Sequence, residues 1–123
     1  MQLVFCGTGW LEIVDAIRQR LAPGDSIVTR DPTRPLPPQV ASADVILPSN
    51  GGLDAATLAA ARRVVLVQQP AVGTDSIDLA AARARGVPVC NVPGANAASV
   101  AEAALLLILA PHRTNRNRER LVR

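Results

Sequence analysis

Short apolar runs rich in Val and Ile alternate along the chain with Ala- and Leu-rich stretches at helical spacing. That rhythm is the pattern of repeated βα units wound around a parallel sheet, and it leaves few other folds open. The strand candidates are Leu3–Cys6, Ser26–Thr29, Val45–Leu47, Val64–Val67 and Val87–Cys90. Between the first two, Trp10, Ile13, Val14, Ile17 and Leu21 fall on one helical face, and Pro23-Gly24 closes the segment.

Two further helices are expected over Asp54–Arg63, opened by a carboxylate, and Asp78–Arg85, closed by Gly86. Ser99 and Glu102 have the spacing of a capping box, so the last helix is expected to start there. Pro111 should kink or end it near Ala110, because a proline inside a helix removes a hydrogen bond and clashes with the preceding turn. The segment Asp31–Pro38 carries four prolines and reads as an extended surface loop. Five strands with helices on both faces make an α/β, flavodoxin-like sheet of order 2-1-3-4-5, whose ligand crevice lies beyond the carboxyl ends of the strands. The loops that matter are then Gly7–Trp10, Pro48–Leu53, Gln68–Asp75 and Asn91–Ser99.

A chain of 123 residues fits one compact core, expected over residues 1–110, with 111–123 as a basic tail or the start of a linker. With no Tyr, one Phe and one Trp, that core is built from Ala, Val, Leu and Ile, and binding by aromatic stacking is disfavoured. The formal charge of +3 comes from arginine alone, and five of the 13 arginines lie in the last eleven residues. No base-reading motif accompanies them, so nucleic acid is not expected as a partner. The apolar run Ala103–Ala110 is far short of the roughly 20 residues a membrane span needs, and no basic-then-apolar leader is present. These features point to a cytoplasmic protein. Cys6 and Cys90 are too few and too far apart for a metal site, and both are expected to be buried thiols. On the expected strand order they sit three strands apart, roughly 14 Å, too far to bridge.

Gly7-Thr8-Gly9 follows a strand and precedes a helix, but Glu12 replaces the third glycine of the dinucleotide fingerprint. A carboxylate there would face the pyrophosphate, so the segment reads as a tight turn that only glycine permits. The chain has no lysine and lacks the acidic cluster of a phosphoacceptor domain of the same fold. In Pro70-Ala71-Val72-Gly73-Thr74 consecutive backbone N–H groups can point into the crevice, and such nests bind carboxylates and phosphates. Asp75 and Asp78 read as helix caps, and Ser49-Asn50-Gly51-Gly52 is a neighbouring polar, flexible loop.

The run V-G-T-D-S-I-D from Val72, then A-A-x-x-R-G-V-P-V, then N-x-P-G-A-N-A-A-S-V-A-E-A-A-L-L-L-I-L-A resembles the D-isomer-specific 2-hydroxyacid dehydrogenases over some forty residues. The resemblance implies the substrate domain of an oxidoreductase that interconverts 2-hydroxy and 2-oxo acids with NAD or NADP. It implies that the backbone at Val72 and Gly73, helped by Asn50 and Gly51, holds the substrate carboxylate, and that Val100 contacts the cofactor. The arginine, histidine and acid that carry the family's chemistry follow its cofactor-binding G-x-G-x-x-G, so no catalytic residue is assigned here, and His112 reads as a helix-end residue.

The sequence ends at Arg123, where the family continues into its dinucleotide-binding domain. The expectation is a truncated relative that holds the carboxylate, binds no cofactor alone and is inactive in isolation. The Ser99–Ala110 helix, left without a covering domain, is expected to favour self-association. The competing expectation is a non-catalytic flavodoxin-like module that binds an anion or a protein.

Overall fold

The computed structural model describes residues 1–121, with side chains described up to residue 111. The chain forms two compact units, Met1–Pro93 and Gly94–Arg123. The first is a five-stranded parallel sheet built in the order β1 (Gln2–Phe5), α1 (Glu12–Arg18), β2 (Ser26–Thr29), α2 (Leu36–Gln39), β3 (Val45–Leu47), α3 (Ala55–Ala60), β4 (Leu66–Gln68), α4 (Leu79–Ala84) and β5 (Val89–Cys90). Its strand order, β2-β1-β3-β4-β5, is the one the sequence rhythm predicts.

Because side chains alternate across a strand, the register decides which residues share a face. Val4 stands beside Ile46, and Ile46 beside Val67. This row packs with Leu36 and Val40 near α2, Leu58 and Ala61 near α3, and Ala82 of α4. The opposite face carries Phe5, Ile27, Val45 and Leu47 against Val14 of α1. Both layers rest on small aliphatic side chains, with Phe5 as the one fully buried aromatic ring among the described residues.

Asp54 and Asp78 open α3 and α4 as expected, their carboxylates accepting from the N–H groups of Thr57 and Ala81 at 2.8 Å. Gly86 closes α4 at a φ of 67°, where a side chain would be strained. Arg85 adds a tie that sequence spacing does not reveal, donating to the carbonyls of Leu58 and Ala61 at the end of α3.

Several expectations are corrected. Trp10 is not on the buried helical face: it precedes α1 in a left-handed conformation, φ 60°, and is exposed. The proline-rich segment is not extended throughout, since Leu36–Gln39 forms a helical turn. Pro37 and Pro38 sit in its first turn, where the missing N–H groups have no intrahelical partner to lose. Cys6 is buried, and burial pushes its thiol up to about 12. Cys90, by contrast, is exposed, because β5 is a two-residue edge strand.

The second unit holds one helix, α5 (Ala97–Leu121), which starts two residues before Ser99 and does not end at Ala110. Pro111 lies inside it, and its ring leaves the helix one backbone donor short at that point. The side chains of His112 and of the arginines from Arg113 onward lie outside the described residues. Among the described residues no helix is long and apolar enough to cross a membrane, and no group of three or more His, Cys, Asp or Glu is placed to hold a metal.

Hydrogen bonds to the Thr57 hydroxyl and N–H hold the Asp54 carboxyl below its usual range. Its folded pKa is thus lower than its unfolded one, so the unfolded chain binds the extra proton as pH falls. Asp54→Ala should melt below the wild type at pH 7, and the gap should close as pH drops through the ordinary carboxylate range and below. Thermal melts followed by circular dichroism across that range check this, and a gap that persisted at the acid end would contradict it.

Candidate functional site

The carboxyl ends of β1, β3 and β4 feed three loops into one region, and hydrogen bonds join them. After β1, the Thr8 N–H donates to Asn50 Oδ1 at 3.0 Å, and Asn50 Nδ2 donates back to the Thr8 hydroxyl at 3.3 Å. The Asn50 side chain is therefore committed to the Gly7–Gly9 turn. Gly51 N–H is likewise spent on the Pro48 carbonyl at 2.9 Å. A Cβ on Gly51 would stand 2.3 Å from the Cys6 carbonyl oxygen, so glycine is what allows the loop to lie against the end of β1.

Gly7 is equally confined, since a Cβ there would meet the Phe5 ring and Ser49 Cβ at 2.8 Å. Gly9 is not, with nothing within 4 Å of its would-be Cβ. The expectation of a turn that only glycine permits thus holds at Gly7 alone. Thr8 N–H, which a pyrophosphate would need in a dinucleotide turn, is already taken by Asn50.

The loop after β4 is held from two sides. Asn91 Nδ2 donates to the Val72 carbonyl at 2.8 Å, and Val92 N–H donates to the Ala71 carbonyl at 3.2 Å. Gln69, only 3% exposed, donates through Nε2 to the carbonyls of Ser49 at 3.2 Å and Gly73 at 2.9 Å. One amide nitrogen thereby bridges the loops that follow β3 and β4. Farther along, Leu53 pairs with Ile77 as an isolated parallel bridge, with Leu53 N–H on the Ser76 carbonyl and Asp78 N–H on the Leu53 carbonyl.

With those carbonyls turned inward, the N–H groups of Asn50, Val72, Gly73 and Thr74 have no partner in the protein among the described residues. A cluster of unpaired amides on two adjoining loops is suited to an oxyanion, which accepts several hydrogen bonds at once. Of the four residues expected to hold a carboxylate, Val72, Gly73 and Asn50 each bring a free N–H to this region, whereas Gly51 brings its lack of a side chain. Val100 lies on α5 in the second unit and is exposed.

Beside the loops a groove of about 590 Å³ is lined by residues that include Arg30, Leu36, Gly52, Leu53, Asp75 and Ser76. Arg30 Nε is buried there without a partner among the described residues. Neither Gln69 nor Arg30 stands out from the sequence. Each follows a strand beside another polar residue, Gln68 or Thr29, which is how ordinary strand ends read.

The model of a family described as D-isomer specific 2-hydroxyacid dehydrogenase, catalytic domain, matches residues 13–122. A D-3-phosphoglycerate dehydrogenase of Mycobacterium leprae is 49% identical over 61 residues, half of this chain and 12% of its own length. Among solved structures, a Thermus thermophilus protein superposes with a TM-score of 0.74 at 28% identity, over 89% of this chain and 36% of its own. The NAD-dependent formate dehydrogenase of Staphylococcus aureus, in complex with NAD, superposes at 0.71 with 23% identity, over 89% of this chain and 38% of its own. The chain thus spans about an eighth of the curated relative and little more than a third of each structure.

Proposed function

Since this chain belongs to the D-isomer specific 2-hydroxyacid dehydrogenase family, we propose that it is the substrate-side portion of an NAD(P)-dependent oxidoreductase acting on small 2-hydroxy and 2-oxo acids. The observation that carries this reading is the set of unpaired N–H groups at Asn50, Val72 and Gly73 on two loops bridged by one buried amide. These groups grip the substrate carboxylate, and Gly51 lets the β3 loop close against β1.

A uniform grip on the carboxylate places the reacting carbon but does not itself lower the barrier to its oxidation. A nicotinamide, when bound, supplies or accepts the hydride. Toward it this chain offers Val100 as an apolar contact on α5, while the Gly7–Gly9 turn is closed to a pyrophosphate by Asn50. Alone, the 123 residues hold the acid, bind neither NAD nor NADP tightly and turn nothing over. The exposed apolar side chains of α5 form the surface through which the isolated chain associates with itself, and its setting is cytoplasmic.

Oxamate, a stable 2-oxo acid mimic, serves as the probe. In amide NMR spectra it should shift Asn50, Val72 and Gly73 together, whereas NAD added at micromolar concentration should shift nothing. Gly73→Val should weaken oxamate at least about tenfold without unfolding the chain, because a Cβ at Gly73 meets only the end of the Asp75 side chain, at 3.3 Å. Oxamate shifts absent from both loops would remove the carboxylate assignment and leave a non-catalytic binding module as the better reading.

A further inference from the structure

We infer that Gln69 is a positioning residue that aims the N–H groups of Asn50 and Thr74 at a single bound anion, an inference that rests on the carboxylate reading above. Gln69 follows β4 directly, and its own N–H is fixed to the Cys90 carbonyl of β5 at 2.7 Å, so the side chain departs from an anchored backbone. The Nε2 group reaches two acceptors, the carbonyls of Ser49 and Gly73. Because both are carbonyl oxygens, only the NH₂ end of the amide can face them, and the flipped orientation would set oxygen against oxygen.

The peptide group turns this contact into a direction. It is planar and trans, so its C=O and the following N–H point opposite ways. Drawing the Ser49 carbonyl inward sends the Asn50 N–H outward, and drawing the Gly73 carbonyl inward does the same for Thr74. The loops leave different strands, yet both are referenced to one nitrogen atom. Asn91 acts in the same sense on the Val72–Gly73 peptide by holding the Val72 carbonyl at 2.8 Å. Thr74 therefore joins Val72 and Gly73 in the donor set, beyond the residues that the family resemblance names.

The other end of the side chain argues against a packing role. Oε1 is buried with no hydrogen-bond partner among the described residues. An apolar residue of similar volume would fill the space without stranding an acceptor, so the amide is useful for what its nitrogen does.

Oxamate titration of the 123-residue chain by amide NMR tests this, with Gln69→Leu, Gln69→Met as a more adaptable replacement should leucine prevent folding, and Ile46→Val as a core control away from the loops. The wild type should show oxamate shifts at Asn50 and Thr74. The Gln69 variant should bind at least about tenfold more weakly, and Ile46→Val should stay within about twofold of wild type. A Gln69 variant that keeps wild-type affinity, or loses no more than Ile46→Val does, overturns the positioning role while leaving the carboxylate reading intact. A wild type in which oxamate moves neither loop overturns both.

Discussion

Gly51→Ala should lower the melting temperature by up to roughly 20 °C, the largest effect expected of a one-carbon change in this chain. The added Cβ would lie 2.3 Å from the Cys6 carbonyl oxygen and 3.0 Å from its carbon, and both are backbone atoms. Neither side can yield cheaply. Cys6 N–H is bonded to the Leu47 carbonyl at 2.8 Å, and Gly51 N–H is bonded to the Pro48 carbonyl. Overpacking of this kind costs about 1–3 kcal/mol or somewhat more. Loss of glycine's freedom in the unfolded chain offsets only about 0.4–1 kcal/mol of it. For a unit of this size each kcal/mol moves the midpoint by roughly 4–8 °C. Gly9→Ala is the matched control, because nothing lies within 4 Å of its would-be Cβ, and it should melt within a few degrees of wild type. Equal melting of the two variants would show that the β3 loop does not press on the end of β1.

The purified chain should have an apparent mass well above 12.9 kDa that rises with concentration, and Leu106→Glu should bring it back toward the monomer. Leu105, Leu106, Leu107, Ile108 and Leu109 are each more than half exposed. At roughly 100° per residue, five consecutive apolar side chains surround the helix, so no single flat surface could cover them all. Apolar surface beyond a few hundred Å² is seldom left open to water on a monomer. Light scattering over a concentration series reads the outcome. A uniform monomer at every concentration would exclude this helix as a self-association surface.

The parts of the fold legible in the sequence are those governed by repetition. Val, Ile and Leu at strand positions, separated by Ala-rich stretches with Asp54 and Asp78 at their starts, specify βα units around a parallel sheet, for which 2-1-3-4-5 is one of the common orders and the one found. Departures arise where one local rule meets a second. Pro37 and Pro38 read as helix breakers, yet the first turn of a helix tolerates them. Trp10 satisfies the helical period of α1 and still falls outside it, in a tight turn after Gly7-Thr8-Gly9. Ser99 and Glu102 have capping-box spacing, but Ala97 already lies in the helix.

The site divides along similar lines. Its loops are legible because strand ends, glycines and prolines mark them, and the family resemblance pointed to Val72 and Gly73. The engagement of the Asn50 side chain with Thr8 and the reach of Gln69 into two loops are contacts across 42, 20 and 4 positions of sequence. No period or motif encodes them: the first two arise from which strands lie side by side, and the third from the β4 loop folding back on its own start.

The unequal surroundings of the two thiols make the chain its own kinetic reporter. A thiol reagent meets Cys90 at the rim of the sheet at once, but reaches Cys6 only when the strand end beneath the β3 loop opens. The slow phase of modification therefore times that opening, with no label to introduce and with the fast thiol in the same molecule as an internal standard.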